Sequence, residues 1–197
     1  MRNCKLERRT KETEIKLQIE LDGNGNSEIE TGIGFLDHML TLFSFHSGID
    51  LKINCIGDIQ VDAHHSVEDI GILLGKSIKQ ALGEKKGIRR YGNCFLPMDE
   101  SLVQTTLDIS GRPFLVWNVT LQTERLGNYE TELTEEFFRA VAFQSGITLH
   151  VNMLYGKNTH HIIEAVFKSF GRSLKQAIQI DEKRKNEIMS SKGVIEE

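Results

Sequence analysis

The chain alternates between strand-like and helix-like hydrophobic patterns. Ile15, Leu17, Ile19 and Leu21 alternate with polar neighbours, as a half-buried strand requires. Val103, Thr105, Leu107 and Ile109 do so less strictly. Helical stretches follow at Phe35 to Phe45 and at Glu135 to Phe143, each succeeded by a second alternating run. Those runs are Ile49, Leu51, Ile53 and Cys55, and then Ile147, Leu149 and Val151. Two further apolar stripes keep close to a period of 3.6 and predict helices: Val67, Ile70, Leu74, Ile78, Ala81 and Leu82, and Ile163, Phe167, Phe170, Leu174, Ala177 and Ile178. Ser66 with Asp69 reads as a capping box for the first of these, and Asp22-Gly23-Asn24-Gly25-Asn26 as a hairpin turn.

The order of these elements occurs twice. Residues 64–82 align without gaps on 160–178, with Gly75 on Gly171, Ser77 on Ser173 and an identical Lys-Gln-Ala. Phe45-His46-Ser47-Gly48-Ile49 matches Phe143-Gln144-Ser145-Gly146-Ile147 upstream. The chain therefore reads as two copies of one supersecondary unit.

Candidate chemistry sits at the start of each second helix. His64-His65-Ser66-Val67-Glu68 and His160-His161-Ile162-Ile163-Glu164 share the pattern His-His-x-x-Glu, and these two sites hold four of the seven histidines. Imidazole and carboxylate are common ligands for divalent transition metals. On a helix, i and i+4 share a face while i and i+1 diverge. His64 with Glu68 can therefore grip one ion while His65 points elsewhere, and His160 with Glu164 repeats the arrangement with His161. The expected assignment places His64, Glu68 and His161 on one ion, and His160, Glu164 and His65 on another. The repeat alignment sets His38 opposite Glu136 and makes both candidate fourth ligands. His46 aligns with Gln144, which argues against a symmetric ligand and leaves a substrate-lining role. His150 has no motif partner and reads as structural, and Asp69 as either a helix cap or a catalytic group.

Composition narrows the setting. At 197 residues the chain is long enough for a sizeable core. A net charge of −4 argues against general nucleic-acid binding, and no apolar run is long enough to span a membrane. The N-terminus lacks an apolar signal region, and three cysteines without a CxxC pattern suit a reducing compartment, so a cytoplasmic location is expected. The charged tail from Asp181 reads as flexible or tied down by a partner.

With these motifs laid out, the whole chain resembles the imidazoleglycerol-phosphate dehydratase family. The resemblance rests on Arg9-Thr10-Lys11-Glu12-Thr13, Gly34-Phe35-Leu36-Asp37-His38-Met39-Leu40, Asp62-Ala63-His64-His65-Ser66-Val67-Glu68-Asp69, Ser110-Gly111-Arg112-Pro113, Lys157-Asn158-Thr159-His160-His161-Ile162-Ile163-Glu164-Ala165 and Ser190-Ser191-Lys192-Gly193. It implies an α+β fold of duplicated β-α-β-α half-units, with a helical bundle packed between two mostly four-stranded sheets. It also implies one dehydratase domain over 1–197, built from two repeats at roughly 1–95 and 96–190. Two Mn²⁺ ions per active site and a homo-oligomer of 24 subunits, with sites between neighbours, belong to the same picture. The metal ligands implied are His38, His64, His65, Glu68, Glu136, His160, His161 and Glu164. The family often has His where this chain has Glu136.

The implied reaction is loss of water from imidazole glycerol phosphate to give imidazole acetol phosphate, in histidine biosynthesis. The proton lost is not acidic, so two Lewis-acidic ions on the ring nitrogens would stabilise an imidazolate. The resemblance points to Glu12 as the acid–base group, working with the ligands His38, His64, Glu68 and Glu164. It maps the phosphate donors to Arg90, Arg112, Lys168, Ser190 and Lys192. Two rival readings share these residues: a dinuclear phosphoester hydrolase and a non-catalytic assembly stapled by metal.

Overall fold

The computed structural model describes residues 2–195. The first sheet contains β1 (Asn3–Arg9), β2 (Thr13–Glu20), β3 (Ser27–Glu30) and β4 (Asp50–Gly57), and the helices of this part are α1 (Gly34–Ser47) and α2 (His64–Leu82). The second sheet contains β5 (Tyr91–Met98), β6 (Ser101–Asp108), β7 (Phe114–Asn118) and, later in the chain, β10 (Thr148–Tyr155). Between β7 and β10 lie a two-stranded ribbon, β8 (Arg125–Leu126) with β9 (Tyr129–Glu130), and helix α3 (Leu133–Ser145). Helix α4 (Thr159–Ile178) follows β10. The two large sheets have the same strand order, β1-β2-β4-β3 and β5-β6-β10-β7.

Each sheet buries one face. Ile15, Leu17 and Ile19 of β2 point inward while Lys16 and Gln18 face out, as the period of two requires. Each inward aliphatic side chain is worth about 1.5–3 kcal/mol against leaving it exposed. Helix α2 packs on β1 and β2, α4 on β5 and β6, and the helices meet each other as α1 on α4 and α2 on α3. The result is a helical layer between two sheets. Phe43 of α1 stacks on Phe170 of α4 at 5.5 Å between ring centres, and Phe137, Phe138 and Phe167 extend this aromatic core into α3.

The helix pairs approach closely at glycines. A Cβ on Gly75 of α2 would come within 2.7 Å of the Val141 carbonyl and 2.8 Å of Gln144 Cβ on α3. A Cβ on Gly171 of α4 would meet the Phe43 carbonyl at 3.0 Å and the Ser47 nitrogen at 3.2 Å on α1. The two glycines that align in sequence thus perform the same task in the two helix pairs.

Two local expectations are corrected. Asp22–Asn26 is not a hairpin turn, because β4 inserts between β2 and β3 and β3 pairs with β4 in parallel. The loop crosses the start of β4, where Asp50 Oδ1 accepts N–H bonds from Asn24 and Asn26 at 2.8 Å each. Nor do Ser66 and Asp69 form a capping box, since both lie buried within α2. Asp69 instead takes an ion pair from Arg8 Nη2 at 2.8 Å and a hydrogen bond from Thr13 Oγ1 at 2.5 Å, anchoring α2 to the first sheet. The tail is held by its own chain. Ile188 bridges to Lys86, Ile180 bridges to Ile88, and the Glu187 carbonyl accepts the Gly87 N–H. His150 is exposed on β10.

Candidate active site

Both histidine pairs stand where an Asx side chain starts a helix. Asp62 Oδ1 accepts the His64 N–H at 2.8 Å, and Asn158 Oδ1 accepts those of His160 at 2.9 Å and His161 at 3.3 Å. These bonds satisfy amides that the helix leaves without partners, and they set the direction in which the following imidazoles leave the backbone. Asp62 and Asn158 each sit two residues before the first histidine. Asn158 is the N-cap of α4, whereas Asp62 stands one residue before the N-cap of α2, Ala63.

The i and i+4 spacing acts as expected. His64 Nε2 lies 3.9 Å from Glu68 Oε2, and His160 Nε2 lies 3.2 Å from Glu164 Oε2. His38, reaching across from α1, places its Nε2 at 3.7 Å from the same Glu164 oxygen. Among the described residues, His38, His160 and Glu164 form the cluster whose ligand atoms all lie within 4.8 Å of one another. Two imidazole nitrogens and a carboxylate oxygen converging in this way fit a divalent transition ion.

Glu164 is 6% exposed, and its second oxygen takes the Lys168 ammonium at 2.5 Å. Burial alone would raise its pKa, but the bond and charge of Lys168, with His160 and His38, hold it below the usual carboxylate value. His46 lies in the same field: burial lowers its pKa, and the Lys168 and Arg172 charges push the same way. Lys168 joins the His38 cluster through Glu164, while His46 lines another cavity with Arg172 and Lys175.

His64, of the other i, i+4 pair, faces α3. His64 and Glu136 line one cavity of about 880 Å³, together with Arg125 and Glu135. Glu136 is itself 3.6 Å from Arg139 Nε.

The remaining two histidines do not join either group within the chain. His65 Nδ1 is 3.1 Å from Asp58 Oδ2, and its Nε2 is 3.9 Å from Glu12 Oε1. His161 Nδ1 is 2.8 Å from Glu100 Oε2, and its Nε2 is 3.7 Å from Asp99. The hydrogen bond to Asp58 raises the pKa of His65, and that to Glu100 raises the pKa of His161. Glu100 is in turn held far below the usual carboxylate range by His161 and the Asn158 N–H. Sequence reading missed Asp58 and Glu100.

A separate basic cavity of about 580 Å³ gathers Arg90, Arg112, Ser190 and Lys192, four of the five expected phosphate donors; Lys168 lies in the histidine cluster instead. Arg90 adopts a left-handed backbone with φ 73°. Its guanidinium forks onto Asp108, Nε at 2.7 Å and Nη2 at 3.0 Å, and Nη1 donates to the Met189 carbonyl at 2.8 Å. The last bond ties the tail to the pocket.

A helical layer that converges imidazoles and carboxylates, with a separate basic pocket on the same chain, defines an enzyme-type centre with room for metal. The family model for imidazoleglycerol-phosphate dehydratase matches residues 31–174. The chain is 59% identical over 194 residues to imidazoleglycerol-phosphate dehydratase of Acetivibrio thermocellus, covering 98% of this chain and 99% of the relative. It is 60% identical over 199 residues to that of Lactococcus lactis subsp. cremoris, covering 99% and 98%. The crystal structure of the Staphylococcus aureus dehydratase superposes with a TM-score of 0.83 at 44% identity, covering 91% of this chain and 99% of that one. A Pyrococcus furiosus IGPD crystallised with (S)-C348 gives 0.82 at 36% identity, covering 96% and 99%. The chain belongs to the imidazoleglycerol-phosphate dehydratase family and is an enzyme of the hydro-lyase class. Among the described residues no helix is long and apolar enough to cross a membrane.

Proposed function

We propose that the chain removes water from imidazole glycerol phosphate to give imidazole acetol phosphate, a step of histidine biosynthesis, and that it depends on two Mn²⁺ ions per active site. The observation that carries this reading is the convergence of His38, His160 and Glu164, with the His64 and Glu68 pair and Glu136 as its counterpart on α2 and α3. His65 and His161 complete the proposed ligand set. Bound Mn²⁺ would supply positive charge at the imidazole nitrogens of the substrate, stabilising an imidazolate.

The protein side chains divide the remaining work. Glu12, about half exposed and close to His65, takes the proton from the second carbon out from the imidazole, the one that becomes the ketone. The hydroxyl on the carbon next to the imidazole leaves as water, the abstracted proton balancing it, and the enol formed becomes the ketone. Arg90, Arg112, Ser190 and Lys192 bind the phosphate through charge-assisted hydrogen bonds, with Lys168 reaching the same substrate from the His38 cluster and His46 from the same helix as His38. In one chain these groups occupy separate surfaces. That separation supports sites completed between subunits of a homo-oligomer, for which we propose 24 copies. The matching strand order of the two sheets supports a single domain built from two repeats.

The test is incubation with imidazole glycerol phosphate, with and without Mn²⁺, monitoring the ketone product and inorganic phosphate. Product that depends on Mn²⁺, without phosphate release, is expected. Phosphate release would favour a phosphoester hydrolase. Glu12→Gln should retain assembly and metal while losing turnover. Normal turnover in that variant would remove Glu12 from the mechanism.

A further inference from the structure

A metal-binding imidazole has two nitrogens, and the hydrogen bond made by one fixes the tautomer presented by the other. A carboxylate on Nδ1 keeps the proton there and leaves the Nε2 lone pair free. His65 and His161 both make this bond. Asp58 Oδ1 and Oδ2 lie 3.2 and 3.1 Å from His65 Nδ1, and Glu100 Oε2 lies 2.8 Å from His161 Nδ1.

The two carboxylates come from unrelated places. Asp58 follows β4 in the connection to α2, whereas Glu100 sits in the turn between β5 and β6. Sequence similarity between the two parts of the chain therefore does not account for the shared bond. Two different backbone routes deliver a carboxylate to the same nitrogen of the aligned histidine.

The Glu100 carboxylate and the Asp58 backbone are themselves held. Glu100 Oε1 accepts from the Asn158 N–H at 2.7 Å, the Lys157 N–H at 3.2 Å and Ser101 Oγ at 2.9 Å, leaving Oε2 for His161. The Asp58 backbone N–H donates to the Glu12 carbonyl at 3.1 Å, and its carbonyl accepts the Val61 N–H at 2.8 Å. Each imidazole is thus gripped by a preoriented group rather than by a loose surface ion pair.

We propose that Asp58 and Glu100 are positioning residues that hold His65 and His161 as Nε2 ligands of the metal centre. This rests on the metal reading given above. Neither carboxylate touches the substrate or the ion; each acts through its histidine. Loss of such a partner typically weakens metal binding by about 10- to 100-fold.

The experiment uses the full chain, as wild type and as Asp58→Asn/Glu100→Gln. Mn²⁺ affinity and stoichiometry are measured by calorimetric titration. Nitrogen-15 spectra of the metal-free, histidine-labelled protein are recorded at a pH where imidazole is neutral, and they report which ring nitrogen carries the proton. The expected result is at least a tenfold loss of Mn²⁺ affinity in the variant. Two histidines should also change from the Nδ1–H form toward the Nε2–H form, with the others unchanged. Unchanged tautomers, or changed tautomers with unchanged affinity, would overturn the proposal. A wild-type protein that takes up no Mn²⁺ would instead overturn the metal reading beneath it.

Discussion

Asp69 is the clearest place to separate anchoring from catalysis. From sequence it reads as a helix cap or a catalytic carboxylate, but the fold makes it a strut between α2 and the first sheet. Its side chain is 9% exposed and paired with Arg8, whose side chain is 32% exposed. Asp69→Ala leaves that guanidinium without its counter-ion. A fully buried broken pair costs about 3–5 kcal/mol, and the partial exposure of Arg8 reduces this to about 2–3 kcal/mol. Thr13 also loses its acceptor, adding about 0.5–1 kcal/mol, because its remaining hydroxyl contact is Thr10 Oγ1 at 3.3 Å. The sum is about 3 kcal/mol. For a chain of this size that corresponds to a fall in Tm of about 6–12 °C. Differential scanning calorimetry of the variant measures it. Replacing both partners with apolar residues, Arg8→Met with Asp69→Leu, should recover most of the loss, because no charge is then stranded. A Tm drop below about 2 °C for Asp69→Ala, on the same scaling, would refute the strut.

Three further outcomes are expected. Asn158→Ala, by removing about 1 kcal/mol of helix capping, and Asp62→Ala, by removing the acceptor of the His64 N–H for about the same loss, should each lower Tm by about 2–4 °C, and the double variant should be close to additive in thermal melts. Gly75→Ala should destabilise more than Gly171→Ala in denaturant titrations. Its Cβ meets α3 at 2.7 Å, whereas that of Gly171 meets α1 at 3.0 Å; overpacking costs about 1–3 kcal/mol against about 1 kcal/mol of gained helix propensity. Asp22 has its pKa held below the ordinary carboxyl value by the Arg2 guanidinium. Its stabilising contribution is therefore present above the unfolded carboxyl pKa, about 3.9, and is lost as pH falls through the lower folded value. Arg2→Gln should lower Tm near neutrality, and the gap to wild type should close in strongly acidic buffer.

The elements that alternate or keep helical period were legible because burial writes them directly into the chain. The pairing of His64 with Glu68 and of His160 with Glu164 was legible for the same geometrical reason. His38 needed the alignment of the two copies, since the contact that brings it to Glu164 joins helices far apart in sequence. The insertion of β4 between β2 and β3 was not legible, because a Gly- and Asn-rich stretch reads alike as a hairpin turn or as a crossing loop. The caps were misplaced because Ser66 and Asp69 have the right spacing but lie one turn too far into the helix. Glu100 was invisible for another reason: 61 residues separate it from His161, and nothing local marks the turn between β5 and β6 as facing a histidine.

The helices that carry the histidines belong to opposite ends of the chain. His38 stands on α1, but His160 and Glu164 stand on α4; His64 stands on α2, but Glu136 stands on α3. A cut in the connection between α2 and β5 would leave neither fragment with a complete three-ligand group. An ion held by His38, His160 and Glu164 would therefore act as a clasp between the N-terminal and C-terminal parts of the molecule. By mass action, its binding free energy would be added to the work of pulling them apart. The denaturation midpoint would then rise with free metal concentration and fall on chelation, and the first structure lost without metal would be the seam between α1 and α4.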